Sequence, residues 1–175
     1  MEFIISGDSR NQSALVNTII SDDVELIKKL EDDDLESGRN DYEFKYLSCF
    51  KDWLSEDDSF LIDRYFEFVT QDRLSPSINN EYELPFIEFF KQKYNSGDIC
   101  IMFPKGDDNY FFKPKTEEEF LTYVILGLRE IQLYSFYDLS SKTYFIFLRD
   151  LTILVATHKS ISIEMSAMNL NLLST

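Results

Sequence analysis

Histidine, cysteine and glycine are all scarce in this chain of 175 residues, which carries one histidine, two cysteines, five glycines and one tryptophan. A single histidine and two distant cysteines, Cys49 and Cys100, with no CxxC spacing, leave no ligand set for a structural zinc. Both cysteines sit among apolar residues and read as small buried hydrophobes of a reducing compartment. Neither GxGxxG nor GxxxxGK[ST] occurs, which removes the usual dinucleotide and phosphate loops. Long apolar runs are also missing. No uncharged stretch exceeds 11 residues, and "MSAMNLNLLST", of that length, is too short and too polar to cross a bilayer. The opening "MEFIISGDSRNQ" places an acid at position 2 before only three consecutive apolar residues, so no secretory signal is expected and a cytoplasmic protein is.

Positive charge is the other shortage. Against 32 Asp and Glu stand 17 Lys and Arg, a net charge of −15. Such a chain repels nucleic acid and anionic membrane, whose binding rests on Lys and Arg neutralising phosphates, and it attracts a basic protein.

Apolar residues make up 44% of the chain, enough for a packed core, and no 20- to 50-residue repeat appears. The expectation is one α+β domain over 1–175, with 1–95 mainly helical and 98–165 forming a hairpin, a helix and a three-stranded meander. "ALVNTII" and "DDVELIKKLEDDD" read as short helices, Glu43–Trp53 as a third, and "SEDDSFLIDRYFEFVTQ" as a fourth with Ser55 at its cap. Pro85 suits the first turn of a fifth helix that Gly97 stops. "DICIMF" and "NYFFK" flank the turn-forming "PKGDD", so they predict a hairpin. Thr116 and Glu119 have capping-box spacing ahead of Phe120, Val124, Leu128 and Ile131. "TYFIFL", "LTILVAT" and "SISIEM" then predict three strands, giving a mostly antiparallel sheet behind one crossing helix.

His158 falls beside Lys159 between the last two of these runs. No motif such as GxSxG supplies it with a nucleophile, so it reads as a turn histidine and no catalytic residue is assigned. The acids are more informative. Asp22, Asp23, Glu56, Asp57, Asp58, Glu117, Glu118 and Glu119 sit at predicted helix starts, where the macrodipole favours them. Glu31, Asp32, Asp33, Asp34 and Glu36 sit at a predicted helix end, where each is disfavoured by about 0.3–1 kcal/mol, and Asp41 and Glu43 extend the group. Local stability does not account for this cluster. It reads either as a solvated loop or as a docking face for a basic protein. A calcium loop fits poorly, because the alternating ligands and closing Glu of an EF-hand are missing. Tyr134 and Tyr137 in "LYSFYDLSSK" are candidate interface anchors. No metal or other cofactor is expected.

"ALVNTIISDDVELIKKLEDDD" has the look of one ankyrin-style helix pair, but nothing matching follows about 33 residues later and the T-P-L-H turn is missing. Over residues 98–165, the order hairpin, capped helix and "YFIFLRDLTILVATHKSISI", with the acidic balance, resembles small bacterial immunity proteins of polymorphic toxin and contact-dependent inhibition systems. That resemblance implies a non-enzymatic protein that binds and neutralises a cognate toxin domain, expected to be a basic nuclease. It carries over no catalytic residues and leaves the first half of the chain unexplained. Two other readings belong to different classes: a small hydrolase or metal-dependent enzyme built from scattered Asp and Glu, and an acidic mimic of nucleic acid.

Overall fold

The computed structural model describes residues 42–71, 73–75, 77–96, 98–105, 108–131, 135–158 and 170–173. The two helices expected before residue 41 and the strand expected at 160–165 lie outside the described residues. What is described is α+β: seven strands in one sheet, all paired antiparallel, and three α-helices.

The first element corrects the sequence reading. Glu43–Trp53 does not form a helix, because Tyr42–Ser48 is strand β1. Its alternation is of period two, with Tyr42, Phe44 and Tyr46 on one side and Glu43, Lys45 and Leu47 on the other. The strand lies along β6 (Thr152–His158) in continuous register from Tyr42 opposite His158 to Ser48 opposite Thr152. Seven paired residues outweigh a weak local preference for helix.

Helix α1 (Ser59–Gln71) and helix α2 (Leu84–Ser96) follow, then strands β2 (Ile99–Lys105) and β3 (Asp108–Phe112), which pair as a hairpin. Helix α3 (Glu117–Leu128) begins as its spacing predicts. Thr116 Oγ1 accepts the Glu119 backbone N–H at 3.1 Å, and Glu119 Oε2 accepts that of Lys115 at 2.7 Å. A meander of β4 (Ser135–Asp138), β5 (Thr143–Phe147) and β6 comes next, and β7 (Asn171–Leu173) closes the described chain. The strand order is β3-β2-β4-β5-β6-β1-β7.

All three helices cover one face of the sheet. Leu47, Ile99, Ile101, Phe136, Phe145, Phe147, Ile153 and Val155 point toward them and form a single core with Tyr65, Val69, Phe86, Phe90 and Phe120. Phe90 is its hub, with the rings of Phe120, Phe136, Phe145 and Phe147 all within 6.0 Å. Every residue of α3 from Phe120 to Leu128 is buried, the pattern of a helix enclosed on all sides. The opposite face carries a smaller cluster of Tyr42, Met102, Tyr137, Tyr144 and Ala156.

One ion pair lies inside the helical layer. Arg129, the C-cap of α3, is 0% exposed, and so is Glu83 just ahead of α2. Arg129 Nε donates to Glu83 Oε1 at 2.6 Å and Nη2 to Glu83 Oε2 at 3.0 Å. Nη1 donates to the carbonyls of Arg73 and Ser75, and Nη2 also to that of Ser77. All five N–H donors of the guanidinium are thereby used. Glu83 in turn accepts from Tyr65 Oη and from the Asn79 backbone.

Arg129→Leu strands the Glu83 carboxylate and three carbonyls, and should lower stability by about 3–5 kcal/mol in urea unfolding. The double variant Arg129→Leu/Glu83→Leu should recover only part of that, because the three carbonyls still lack donors; full recovery would show that the carboxylate alone mattered. Gly127→Ala gains about 1 kcal/mol of helix propensity, yet the new Cβ would lie 2.6 Å from Phe147 Cδ1. Phe147 is wedged against Phe90 and Phe136 and cannot yield, so overpacking at about 1–3 kcal/mol should prevail and thermal unfolding should show a lower Tm.

Candidate functional site

Most of the residues singled out for docking lie outside the described chain: Glu31, Asp32, Asp33, Asp34, Glu36, Asp41 and Tyr134. Glu43 is exposed on β1 and pairs with Lys45 at 2.9 Å. Tyr137 is 1% exposed and stacks on Tyr144 with ring centres 4.2 Å apart, so it is packed against the sheet and forms no part of an exposed patch.

The reactive side chains are occupied by structure. His158 is the last residue of β6 rather than a turn residue, half-buried and edge-on to Tyr42 at 5.3 Å. Burial pushes the Cys49 thiol up to about 12 and the Cys100 thiol up to about 11, so both stay protonated at neutral pH. Among the described residues no three His, Cys, Asp or Glu side chains are grouped to hold a metal ion.

Asp138 is the most constrained carboxylate of the sheet. It is buried at the end of β4, and it accepts hydrogen bonds from the backbone N–H and hydroxyl groups of both Ser140 and Ser141. Burial by itself would raise its pKa, but these bonds outweigh burial and hold the group below the ordinary carboxylate range. Its role is to shape the β4–β5 connection, in which Lys142 takes a left-handed φ of 46°.

A more open arrangement occurs where β1 leaves the sheet. A recess of about 190 Å³ is walled by Phe50, Trp53, Leu54, Leu148 and Leu173, with Ser48, Asp52, Arg149, Asp150 and Thr152 completing the lining. Trp53 stands 52% exposed, its ring held edge-on to Tyr46 at 4.8 Å. The sequence marks the place only by its lone tryptophan inside "KDWLSEDD"; Arg149–Asp150 is the separator between the runs "TYFIFL" and "LTILVAT" and carries no motif of its own.

That separator is strained. Asp150 and Leu151 have φ of 57° and 53°, and the Thr152 N–H donates to the Arg149 carbonyl, as in a type I′ turn. Such turns favour Asn-Gly, and a bulky residue at positive φ costs of the order of 1 kcal/mol or more. Glu130, one residue past the C-cap of α3, has φ of 51°. Its N–H bonds the Gly127 carbonyl and the Ile131 N–H that of Leu126, so a glutamate fills the glycine position of a Schellman motif. The two turns are joined, because the Asp150 N–H donates to Glu130 Oε1 at 3.1 Å. The buried Arg129 thus fixes the end of α3, Glu130 extends from it, and Glu130 sets the turn that lines the recess.

Exposed acids are frequent in the sequence that follows β1. Asp52, Glu56 and Asp57 flank Trp53, and Asp63 and Glu67 project from α1 near Phe60, itself 51% exposed. Asp58 is tied to Ser55, whose backbone N–H and hydroxyl both donate to its carboxylate and lower its pKa. Comparison with known proteins finds no matching family model, no matching curated protein and no matching solved structure.

Asp138 generates a pH prediction. Its folded pKa lies below the unfolded value of about 4, so its stabilising effect is complete above that value and is lost as pH falls through the folded one. In urea unfolding at a series of pH values, Asp138→Asn should show a shallower loss of stability than the natural protein from about pH 5 down to about pH 2; parallel losses would assign the acid sensitivity to other carboxylates.

Proposed function

We propose that this chain is a non-enzymatic, cytoplasmic immunity-type protein that binds and neutralises a basic toxin domain, a nuclease. The observation that carries the reading is the coincidence of exposed acids with exposed aromatics over residues 52–67, on a chain of net charge −15. The likeness of the C-terminal half to immunity proteins supports it. Among the described residues no helix is long and apolar enough to cross a membrane.

The mechanism follows from the charge. An acidic surface accelerates encounter with a basic protein and occupies the groove that the toxin would use for phosphates. Long-range charge sets the rate of association, while buried aromatic anchors set how long the complex lasts.

Capture with the tagged protein from its own host lysate, followed by high-salt washing, should retain one stoichiometric partner whose nuclease activity is blocked at a 1:1 ratio. Association of the purified pair should slow at least about tenfold from low to physiological salt, and replacing Asp32, Asp33 and Asp34 by Asn together should slow it at low salt. Many basic proteins, all lost at high salt, or a partner whose activity is unchanged in the complex, would overturn the reading.

A further inference from the structure

We propose that the recess beside Trp53 receives an arginine side chain from a basic segment of the partner, an inference that rests on the binding function above. The size of the recess points to a single side chain. Its volume of about 190 Å³ is below the roughly 300–1,000 Å³ of sites that hold a drug-sized ligand. Much of its lining is apolar, and Phe50, Leu54, Leu148 and Leu173 suit an aliphatic stem. Trp53 offers an indole ring already oriented by Tyr46, and tryptophan is the best aromatic partner for a guanidinium. A stacked guanidinium keeps its in-plane N–H groups for carboxylates, which a lysine ammonium cannot match.

Charge selects the cation over an apolar occupant. Asp52 and Asp150 both line the recess, and among the described residues neither carboxylate has an ion-pair or hydrogen-bond partner. Arg149 also lines it without pairing to either, so two negative charges face one positive, on a chain of net charge −15. The turn bearing Asp150 holds two non-glycine residues at positive φ, Asp150 and Leu151, and one hydrogen bond ties it to a third, Glu130. Glycine would remove that strain. What the strained turn keeps is a carboxylate in the lining of the recess, fastened through Glu130 to the buried end of α3.

Trp53 is the only tryptophan, so its indole N–H signal in a 1H–15N spectrum reports this recess alone. The full chain would be titrated with blocked Gly-Gly-Arg-Gly-Gly and with the same peptide carrying citrulline, which keeps the shape and loses the charge. The expected result is a saturable shift with the arginine peptide that is weakened at least about fivefold by Asp52→Asn/Asp150→Asn. Glu88→Gln/Glu118→Gln removes the same charge from positions outside the recess and outside the 52–67 surface, and should change affinity less than about twofold. Equal shifts from the citrulline peptide, equal weakening by both double variants, or no shift at all would overturn the inference. The test separates this idea from the function it rests on. An arginine-specific response with no toxin captured leaves the recess and removes the immunity reading. A captured toxin that binds Trp53→Ala with unchanged affinity removes the recess and leaves the immunity reading.

Discussion

The buried pair of Arg129 and Glu83 is the constraint on which the rest of the described structure depends. Removing two charges from water costs several kcal/mol each, and the geometry here offsets that only because no donor of the guanidinium is left idle. Its five hydrogen bonds run to a carboxylate ahead of α2 and to three carbonyls of the α1–α2 connection, while its backbone caps α3. One side chain therefore fixes the mutual placement of all three helices. An apolar residue could fill the space but would give the connection no reason to adopt this path.

The same constraint extends toward the surface. The Schellman turn after Arg129 is built on glutamate, and the Glu130 carboxylate holds the Asp150 N–H of the β5–β6 turn. A rigid helix end, a strained turn and a strand exit at Trp53 thereby form one connected unit. The positive φ values at Glu130, Asp150 and Leu151 persist because the elements around them are held. Leu151 is driven into the core by its apolar side chain, and Asp150, beside it, is presented outward as a consequence.

The two faces of the sheet divide the work differently from what tyrosine content alone implies. Tyr137 looked like an anchor because tyrosine is common at interfaces, yet its place in β4 opposite Tyr144 turns it into a stacked pair on the second face. Trp53 is inconspicuous in the sequence beside the long acidic run at 31–36, because one aromatic among polar residues has no period to detect. Its exposure follows from position: it lies beyond the end of β1, where the chain has left the sheet and has not yet entered α1.

By itself the sequence determined the elements whose signals are local. The period of α1 and α2, the Thr116–Glu119 cap of α3, the β2–β3 hairpin and the apolar strand 152–158 were all legible, since each depends on neighbours a few residues away. The negative charge and the shortage of histidine, cysteine and glycine were equally plain, and they limit the chemistry however the chain folds. Only the tertiary structure decided that Tyr42–Ser48 is a strand, because its partner β6 lies more than a hundred residues away. It alone brought Glu83 to Arg129, and Asp52 and Trp53 to Asp150. These meetings depend on the path of the backbone between distant segments, and no local period or propensity encodes that path.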